Sequence, residues 1–171
     1  MSSLSESDTF YAVIGYGTFI IAALGEHPFK FEVLEILGEV KVQGYRRVFN
    51  HRSGWFPWVI PSPKHYFYGL LFTIQKLELK TLDRIESEGY LYDRVITQVE
   101  YQNSLYQAFI YVASKQSRAT VDILKLANTI EFPDYWPAFL RKEAAKGQIP
   151  KSQMLKYPHL FEGLDFPENL S

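Results

Sequence analysis

Apolar residues near the start of the chain form two short runs on either side of a glycine-containing loop. Residues 10–14 are all apolar and Gly15 follows them, a pattern typical of a buried strand. Residues 15–18 are predicted to form a tight loop, and residues 19–24 a short helix that ends at 25–28. We expect the first strand to lie centrally, beside strands that come later in the chain.

Three further segments before residue 75 have the composition of β-strands, and a proline-containing stretch interrupts them. Residues 36–42 and 44–49 predict two separate strands, and residues 66–74 predict a third. Residues 50–64 include three prolines, which a central strand does not tolerate. This stretch, with aromatic residues at 55, 56 and 58, is therefore predicted to be a long loop or an edge.

The hydrophobic period becomes helical after residue 75. The spacing of Leu77, Leu79, Leu82 and Ile85 fits a short helix over 76–86. Gly89 is the expected end of this helix. Residues 92–101 and 105–113 then alternate like strands, and the linker 102–104 makes them a predicted hairpin.

Helical patterns and an irregular tail complete the chain. Residues 120–128 and 136–146 predict helices. The expected organisation is a disordered lead over 1–9, a single domain over 10–150 and an irregular C-terminal tail over 151–171. This order of elements predicts the α+β class, with a small, mixed, mostly antiparallel sheet that curls like a barrel and carries packed helices.

Composition narrows the classes of function. The 171 residues are 47% hydrophobic, which suits one domain with a real core. Aromatic residues make up 16%, which favours a β-rich core, with an aromatic-lined pocket as the alternative. The net charge is −1 and lysines and arginines are scattered, so we expect no nucleic-acid partner. The absence of cysteine excludes disulfides and thiolate chemistry.

The cellular location of the protein is predicted from its N-terminal residues and from the length of its apolar runs. Residues 1–8 are polar and acidic and lack the regions of a signal peptide. Apolar runs such as 20–24 are too short to span a bilayer. A cytoplasmic protein without membrane contact is therefore expected.

The loop at 15–18 does not fit a dinucleotide fingerprint, because Ile20 stands where a third glycine is required. Its backbone N–H groups are suited to an anion or a developing oxyanion, and a simple tight turn explains it equally well. The four histidines lack ligand spacing, so no metal site is expected. No Gly-x-Ser-x-Gly occurs either, which argues against a serine hydrolase.

Acidic residues cluster at Asp83, Glu86 and Glu88, and a solvated helix end is the ordinary explanation of such a cluster. Glu86, however, follows the apolar Ile85 at the close of an amphipathic helix and precedes the strand that begins at Tyr92. A carboxyl group at that junction can point into a cavity beside the sheet. Desolvation there would raise its pKa towards neutrality, as acid/base catalysis requires.

Two motifs around Glu86 resemble the signature of γ-glutamylcyclotransferase-like proteins. Residues 82–86, Leu-Asp-Arg-Ile-Glu, are followed by Tyr-Asp-Arg-Val at 92–95. Tyr92 lies six residues after Glu86 and Arg94 lies eight after it, offsets that resemble the γ-glutamylamine cyclotransferase and AIG2-like branch. Three other segments also resemble the family pattern: residues 16–19, 42–49 and 68–72.

The resemblance implies a small mixed barrel with packed helices and Glu86 as the catalytic residue. The implied reaction is intramolecular: the α-amine of a γ-glutamyl group attacks its own γ-carbonyl, and 5-oxoproline and an amine are released. Proximity is built into such a substrate, so no cofactor is expected. The implied partner is a small-molecule γ-glutamyl compound.

The resemblance also implies a set of substrate-binding residues: Tyr16, Gly17, Thr18, Phe19 and Tyr92. Backbone N–H groups of the 16–19 loop would bind the oxyanion. Tyr92 would hydrogen-bond the carboxylate or the substrate, although a core position explains a tyrosine there more simply. Arg94 is expected to pair with Asp83 or Glu88 and to be structural.

The chain departs from the family pattern in four places. Phe19 stands where the family often has leucine, and Ser87 where it often has glycine. Residues 20–34 and the aromatic stretch 55–58 do not match, and both are expected to border the pocket. The identity of the γ-glutamyl compound and the oligomeric state therefore stay open, as does a non-catalytic ligand-binding or interaction module on the same fold.

Overall fold

A five-stranded sheet with the strand order β2-β3-β1-β5-β4 is the framework of the protein. The structure, a computed structural model, describes residues 10–25, 31–50, 56–86, 89, 91–115, 117, 142–143 and 145–161. The strands are β1 (Phe10–Gly15), β2 (Glu35–Asn50), β3 (Phe56–Gln75), β4 (Tyr92–Tyr101) and β5 (Ser104–Ala113). The helices with both ends among the described residues are α1 (Thr18–Leu24), α2 (Leu79–Ile85) and a single turn, α3 (Lys151–Met154).

Strand β1 lies in the middle of the sheet, as its apolar run predicts. It pairs antiparallel with β3 on one side and parallel with β5 on the other. Val13 and Ile14 are fully buried. Because both neighbours come later in the chain, the predicted central position is confirmed, and so is the α+β class.

Residues 36–49 form one long strand, β2, and the prediction of two strands is wrong. The pairing with β3 shifts between Gln43 and Tyr45, and Gly44 takes a φ of +88°. A glycine at positive φ lets the strand pass through a bulge without ending. The break that glycine suggests in the sequence is therefore an irregularity within a continuous ladder.

The predicted loop over 50–64 is wrong from residue 56 onwards, because β3 begins at Phe56. Pro57 and Pro61 face Phe49 and Tyr45 of β2, whereas β1 pairs with β3 only over residues 70–75. Among the described strands, this first half of β3 has one hydrogen-bonded neighbour, β2, and such an edge is where a strand tolerates proline. The predicted edge is confirmed in that sense.

The helix predicted over 76–86 consists of a 3₁₀ turn, Lys76–Glu78, followed by α2. Leu82 is fully buried and turns this helix towards the sheet. The helix ends before Gly89, which lies in the following loop at a φ of +83° and donates its N–H to the carbonyl of Tyr92. Gly89 is therefore a residue of the connection and not the helix stop.

Strands β4 and β5 form the predicted hairpin, with a turn one residue shorter than expected. Tyr101 pairs with Ser104, and the two turn residues, Gln102 and Asn103, both have positive φ. At this end the Tyr101 hydroxyl donates to the carbonyl of Leu37 in β2. The two outer strands of the sheet thereby approach each other, which gives it a barrel-like curl.

The C-terminal segment packs on the same core. Met154, Leu160 and Phe161 are buried, and the Glu39 carboxylate accepts the N–H groups of His159 and Leu160 over 2.9 and 3.1 Å. The expected lead 1–9, the helix 120–128 and most of the helix 136–146 lie outside the described residues, and 142–143 and 145–146 are helical. No helix within the described ranges has the length and apolar character needed to cross a membrane.

Candidate functional site

A cavity of about 260 Å³ opens where β1 passes into α1 and where α2 ends. Small-molecule sites are typically about 300–1,000 Å³, so this cavity suits a small ligand. The residues that line it are Tyr16, Gly17, Thr18, Phe19, Pro57, Trp58, Ile85, Glu86, Leu91 and Tyr92. All six residues expected at the site, Glu86 and the five substrate-binding candidates, are among them.

The 16–19 loop enters the cavity from the end of β1. The Tyr16 hydroxyl donates to the carbonyl oxygen of Tyr111 in β5 over 2.5 Å. Gly17 precedes α1 and provides no side-chain cap, so the N–H groups of Thr18 and Phe19 lack the acceptors that later helical residues have. A Cβ at Gly17 would lie 2.6 Å from Pro57 Cγ, so only glycine allows this close contact with β3.

Glu86 is the residue directly after α2, and its N–H donates to the carbonyl of Leu82 over 3.0 Å. Burial raises the pKa of its carboxyl from 4.5 to about 7. None of the described residues forms a hydrogen bond or ion pair with that carboxyl that would stabilise its charge. The carboxyl is therefore poised to take up and release a proton near neutral pH.

Two buried tyrosines face Glu86. Burial raises the pKa of Tyr16 well above its usual value, and the neighbouring Tyr92 and Glu86 add to this. Burial likewise raises the pKa of Tyr92, with Glu86 adding to the effect. Both phenols are thus uncharged donors at neutral pH.

Tyr92 is held by the first residues of β3. Its ring stacks on Trp58 with centroids 4.8 Å apart, and its hydroxyl donates to the Pro57 carbonyl over 3.4 Å. Tyr92 is 9% exposed and also lines the cavity, so a position in the core does not remove it from the site. Its contact with substrate stays a prediction.

Arg94 pairs with Asp83, one of the two partners expected for it. The second carboxylate oxygen of Asp83 accepts the Tyr111 hydroxyl over 2.6 Å. Arg94 does not line the cavity, in keeping with a structural part.

The cavity also contains four residues that the site prediction did not name: Pro57, Trp58, Ile85 and Leu91. The departure from the family pattern at 55–58 had indicated the first two. Residues 20–34 were expected to border the pocket as well, and their described part, 20–25 and 31–34, contributes no lining residue. Across the described part of the chain no three histidine or acidic side chains group as metal ligands do.

The chain is similar to known proteins in sequence family and in fold. The family model described as "Gamma-glutamyl cyclotransferase, AIG2-like" matches residues 13–131. An uncharacterized protein from Homo sapiens is similar in structure, with a TM-score of 0.57 and 13% identity over 96% of this chain and 93% of that one. A structure titled "Gamma-glutamyl cyclotransferase" has a TM-score of 0.52 and 13% identity over 93% and 90% of the two chains.

A third structure, of a protein from Arabidopsis thaliana, has a TM-score of 0.51 and 18% identity over 81% of this chain and 95% of that one. At these identities the structures show a shared fold. A search of curated proteins gave no match. The family match covers more than half of the chain and includes the 16–19 loop, α2, Glu86 and Tyr92. The chain therefore belongs to the γ-glutamyl cyclotransferase, AIG2-like family.

Proposed function

We propose that this chain is a cyclotransferase that releases 5-oxoproline and an amine from a small γ-glutamyl compound. The observation that carries the proposal is the carboxyl of Glu86, whose pKa burial raises to about 7 and which lines the same small cavity as the uncapped start of α1. An acid/base group and oxyanion donors are the two things that intramolecular aminolysis asks of a protein.

In the first step, ionised Glu86 takes a proton from the substrate α-amine as the nitrogen attacks the γ-carbonyl carbon. A carbon–nitrogen bond forms, the ring closes and the carbonyl oxygen gains negative charge. The N–H groups of Thr18 and Phe19 would donate to that oxygen, since the first turn of α1 leaves them without helical acceptors.

In the second step, protonated Glu86 gives its proton to the departing nitrogen, the original amide bond breaks, and the carboxylate is regenerated. One group with a pKa near neutrality serves both directions of proton transfer, which typically contributes about 10²–10⁴-fold to the rate. The closing ring is part of the substrate, so the attack benefits from built-in proximity. The apolar lining of Pro57, Trp58 and Leu91 is the proposed wall for the amine portion.

The test is release of 5-oxoproline from a panel of γ-glutamyl amino acids and γ-glutamylamines by the whole chain. Glu86→Gln keeps the size of the side chain and removes its proton transfer, so turnover should fall by about 10²-fold or more while the fold is kept. The matched control is Glu100→Gln, because Glu100 is an exposed residue of β4 outside the cavity. Ligand binding without 5-oxoproline release would favour the non-catalytic module instead.

A further inference from the structure

Tyr111 of β5 contacts both halves of the site without lining the cavity itself. The side chain is 1% exposed, and the residue makes three directed contacts. Its carbonyl oxygen accepts the Tyr16 hydroxyl over 2.5 Å, and its ring meets the Phe19 ring edge-on at 5.8 Å. Its own hydroxyl donates to Asp83 Oδ1 over 2.6 Å. One residue is therefore bound to the 16–19 loop and to α2.

Asp83 is held from two strands at once. Arg94 and Tyr111 are direct cross-strand partners in β4 and β5, and Asp83 accepts a hydrogen bond from each of them, one on either carboxylate oxygen. Hydrogen bonds to a charged carboxylate are stronger than those between neutral groups. This pair thus fixes the place of α2 on the sheet.

Glu86 follows Asp83 by three residues and comes directly after α2, where its N–H still donates to the Leu82 carbonyl, so its backbone lies about one helical turn from that of Asp83. Glu86 stands at the C-terminal end of a seven-residue helix, where backbone hydrogen bonds are fewest. A short helix has little stability of its own and keeps its end in place through tertiary contacts. Anchoring Asp83 therefore anchors the Glu86 carboxyl.

We propose that Tyr111 is a positioning residue of the active site, which sets the distance between the Glu86 carboxyl and the backbone N–H groups of the 16–19 loop. The proposal rests on the proposed function, in which those two parts act on one substrate. The two elements that carry these groups are both hydrogen-bonded to Tyr111. The Tyr16 side chain of the loop donates to the Tyr111 carbonyl, and the Tyr111 hydroxyl donates to Asp83 of α2. A small displacement of catalytic groups has a large effect on rate, so a fixed separation is what the chemistry needs.

Tyr111→Phe separates the two hydrogen bonds of Tyr111. It removes the one to Asp83 and keeps the ring and the carbonyl that accepts the Tyr16 hydroxyl. We expect kcat for 5-oxoproline release to fall by about 10- to 100-fold while KM changes by less than about threefold. Tyr106→Phe is the matched control. Tyr106 lies five residues earlier on the same strand, about 16 Å away, and packs edge-on against Tyr101.

A second readout needs no substrate. If the end of α2 moves away from the sheet, the Glu86 carboxyl gains water, and its pKa should fall from about 7 towards 4.5. NMR titration of glutamate-labelled protein measures this pKa in wild type, Tyr111→Phe and Tyr106→Phe. A stable core residue with a merely structural role would leave the Glu86 pKa where it is.

Asp83→Ala supplies the remaining comparison, since it removes the acceptor of the Tyr111 hydroxyl. If Tyr111 acts through Asp83, the double variant should lose little more kcat than the more impaired single variant, because contacting residues are not additive. Tyr111→Phe with wild-type kcat and an unchanged Glu86 pKa would overturn the proposal, and so would fully additive losses. If wild type releases no 5-oxoproline from any compound, the proposed function fails, and the Glu86 titration still decides the positioning role.

Discussion

Trp58 and Tyr92 stack face to face with ring centroids 4.8 Å apart and an angle of 17° between the rings. The contact joins the start of β3 to the start of β4, two strands that are not neighbours in the sheet. Both rings line the cavity beside Glu86. The wall of the site is thus built by an aromatic pair whose members are 34 residues apart.

Two substitutions of Trp58 should separate the stability gained from burying its ring from the cost of its unpaired indole N–H. Trp58 is 3% exposed, and its Nε1 atom has no hydrogen-bond partner among the described residues. Trp58→Ala should lower the free energy of unfolding by about 3–5 kcal/mol, as for other buried aromatic truncations. Trp58→Phe keeps a ring against Tyr92 and leaves no donor unpaired, so it should cost clearly less.

Chemical denaturation of the two Trp58 variants measures these losses. Because Trp58 lines the cavity, substrate kinetics should also change: KM should rise more for Trp58→Ala than for Trp58→Phe. Equal losses of stability in both variants would show that the stack with Tyr92 contributes little.

The rate should depend on pH through Glu86. The base form is the ionised carboxylate, and burial raises the pKa of Glu86 to about 7. We therefore expect kcat/KM to rise with pH on its acid limb, with a midpoint at about 7. A profile from about pH 5 to pH 9 measures it. A midpoint at the ordinary carboxyl value would mean that Glu86 is solvated in the working enzyme or is not the base.

Stability should change with pH in the opposite direction. The folded chain holds the Glu86 proton more tightly than the unfolded chain, so the stability associated with this group is complete below pH 4.5 and is lost as pH rises through about 7. The pKa difference corresponds to at most about 3 kcal/mol. Glu86→Gln removes this titration.

Unfolding free energies of wild type and Glu86→Gln, measured at several pH values, check the sign. The variant should gain on wild type as pH increases, whereas Glu100→Gln should follow the wild-type curve. A difference that is constant with pH would contradict the burial of the Glu86 carboxyl.

Gly17→Ala should damage both the fold and the site. Its Cβ would lie 2.6 Å from Pro57 Cγ, and a proline ring has little freedom to move aside. We expect a loss of about 1–3 kcal/mol in unfolding free energy, as for other overpacked positions, together with a higher KM.

Pro57→Ala provides the rescue for Gly17→Ala, because it removes the atom that the new methyl group would meet. Thermal or denaturant unfolding of the double variant should show recovery relative to the sum of the two single losses. Simple additivity would place the strain of Gly17→Ala elsewhere, in the backbone of the loop.

Local patterns in the sequence were sufficient for the elements that carry Glu86. The apolar run of β1, the helical spacing of Leu79, Leu82 and Ile85 and the alternation of β4 and β5 each depend on neighbours within a few residues. The motif at 82–95 likewise indicated Glu86 and Tyr92 together. Periodicity of this kind is determined by the chain itself, because it reflects which face of one element is buried.

Strand pairing, which local patterns do not show, determined where prolines and a glycine are tolerated within the strands. Pro57 and Pro61 are acceptable in β3 because that half of the strand has one hydrogen-bonded neighbour among the described strands. Gly44 lies in a bulge because β2 continues on the far side. Neither fact is visible in the residues themselves. The alternative of a loop over 50–64 came from interpreting proline as a local break, whereas β3 begins at Phe56.

The raised pKa of Glu86 and the part of Tyr111 also depend on the tertiary structure. A carboxyl group has its ordinary pKa until packing removes water from it, and its position after α2 alone does not determine that packing. Tyr111 reads in the sequence as one more aromatic residue of an alternating strand. Its bond to Tyr16 spans 95 residues and its bond to Asp83 spans 28, so only the folded sheet brings the three together.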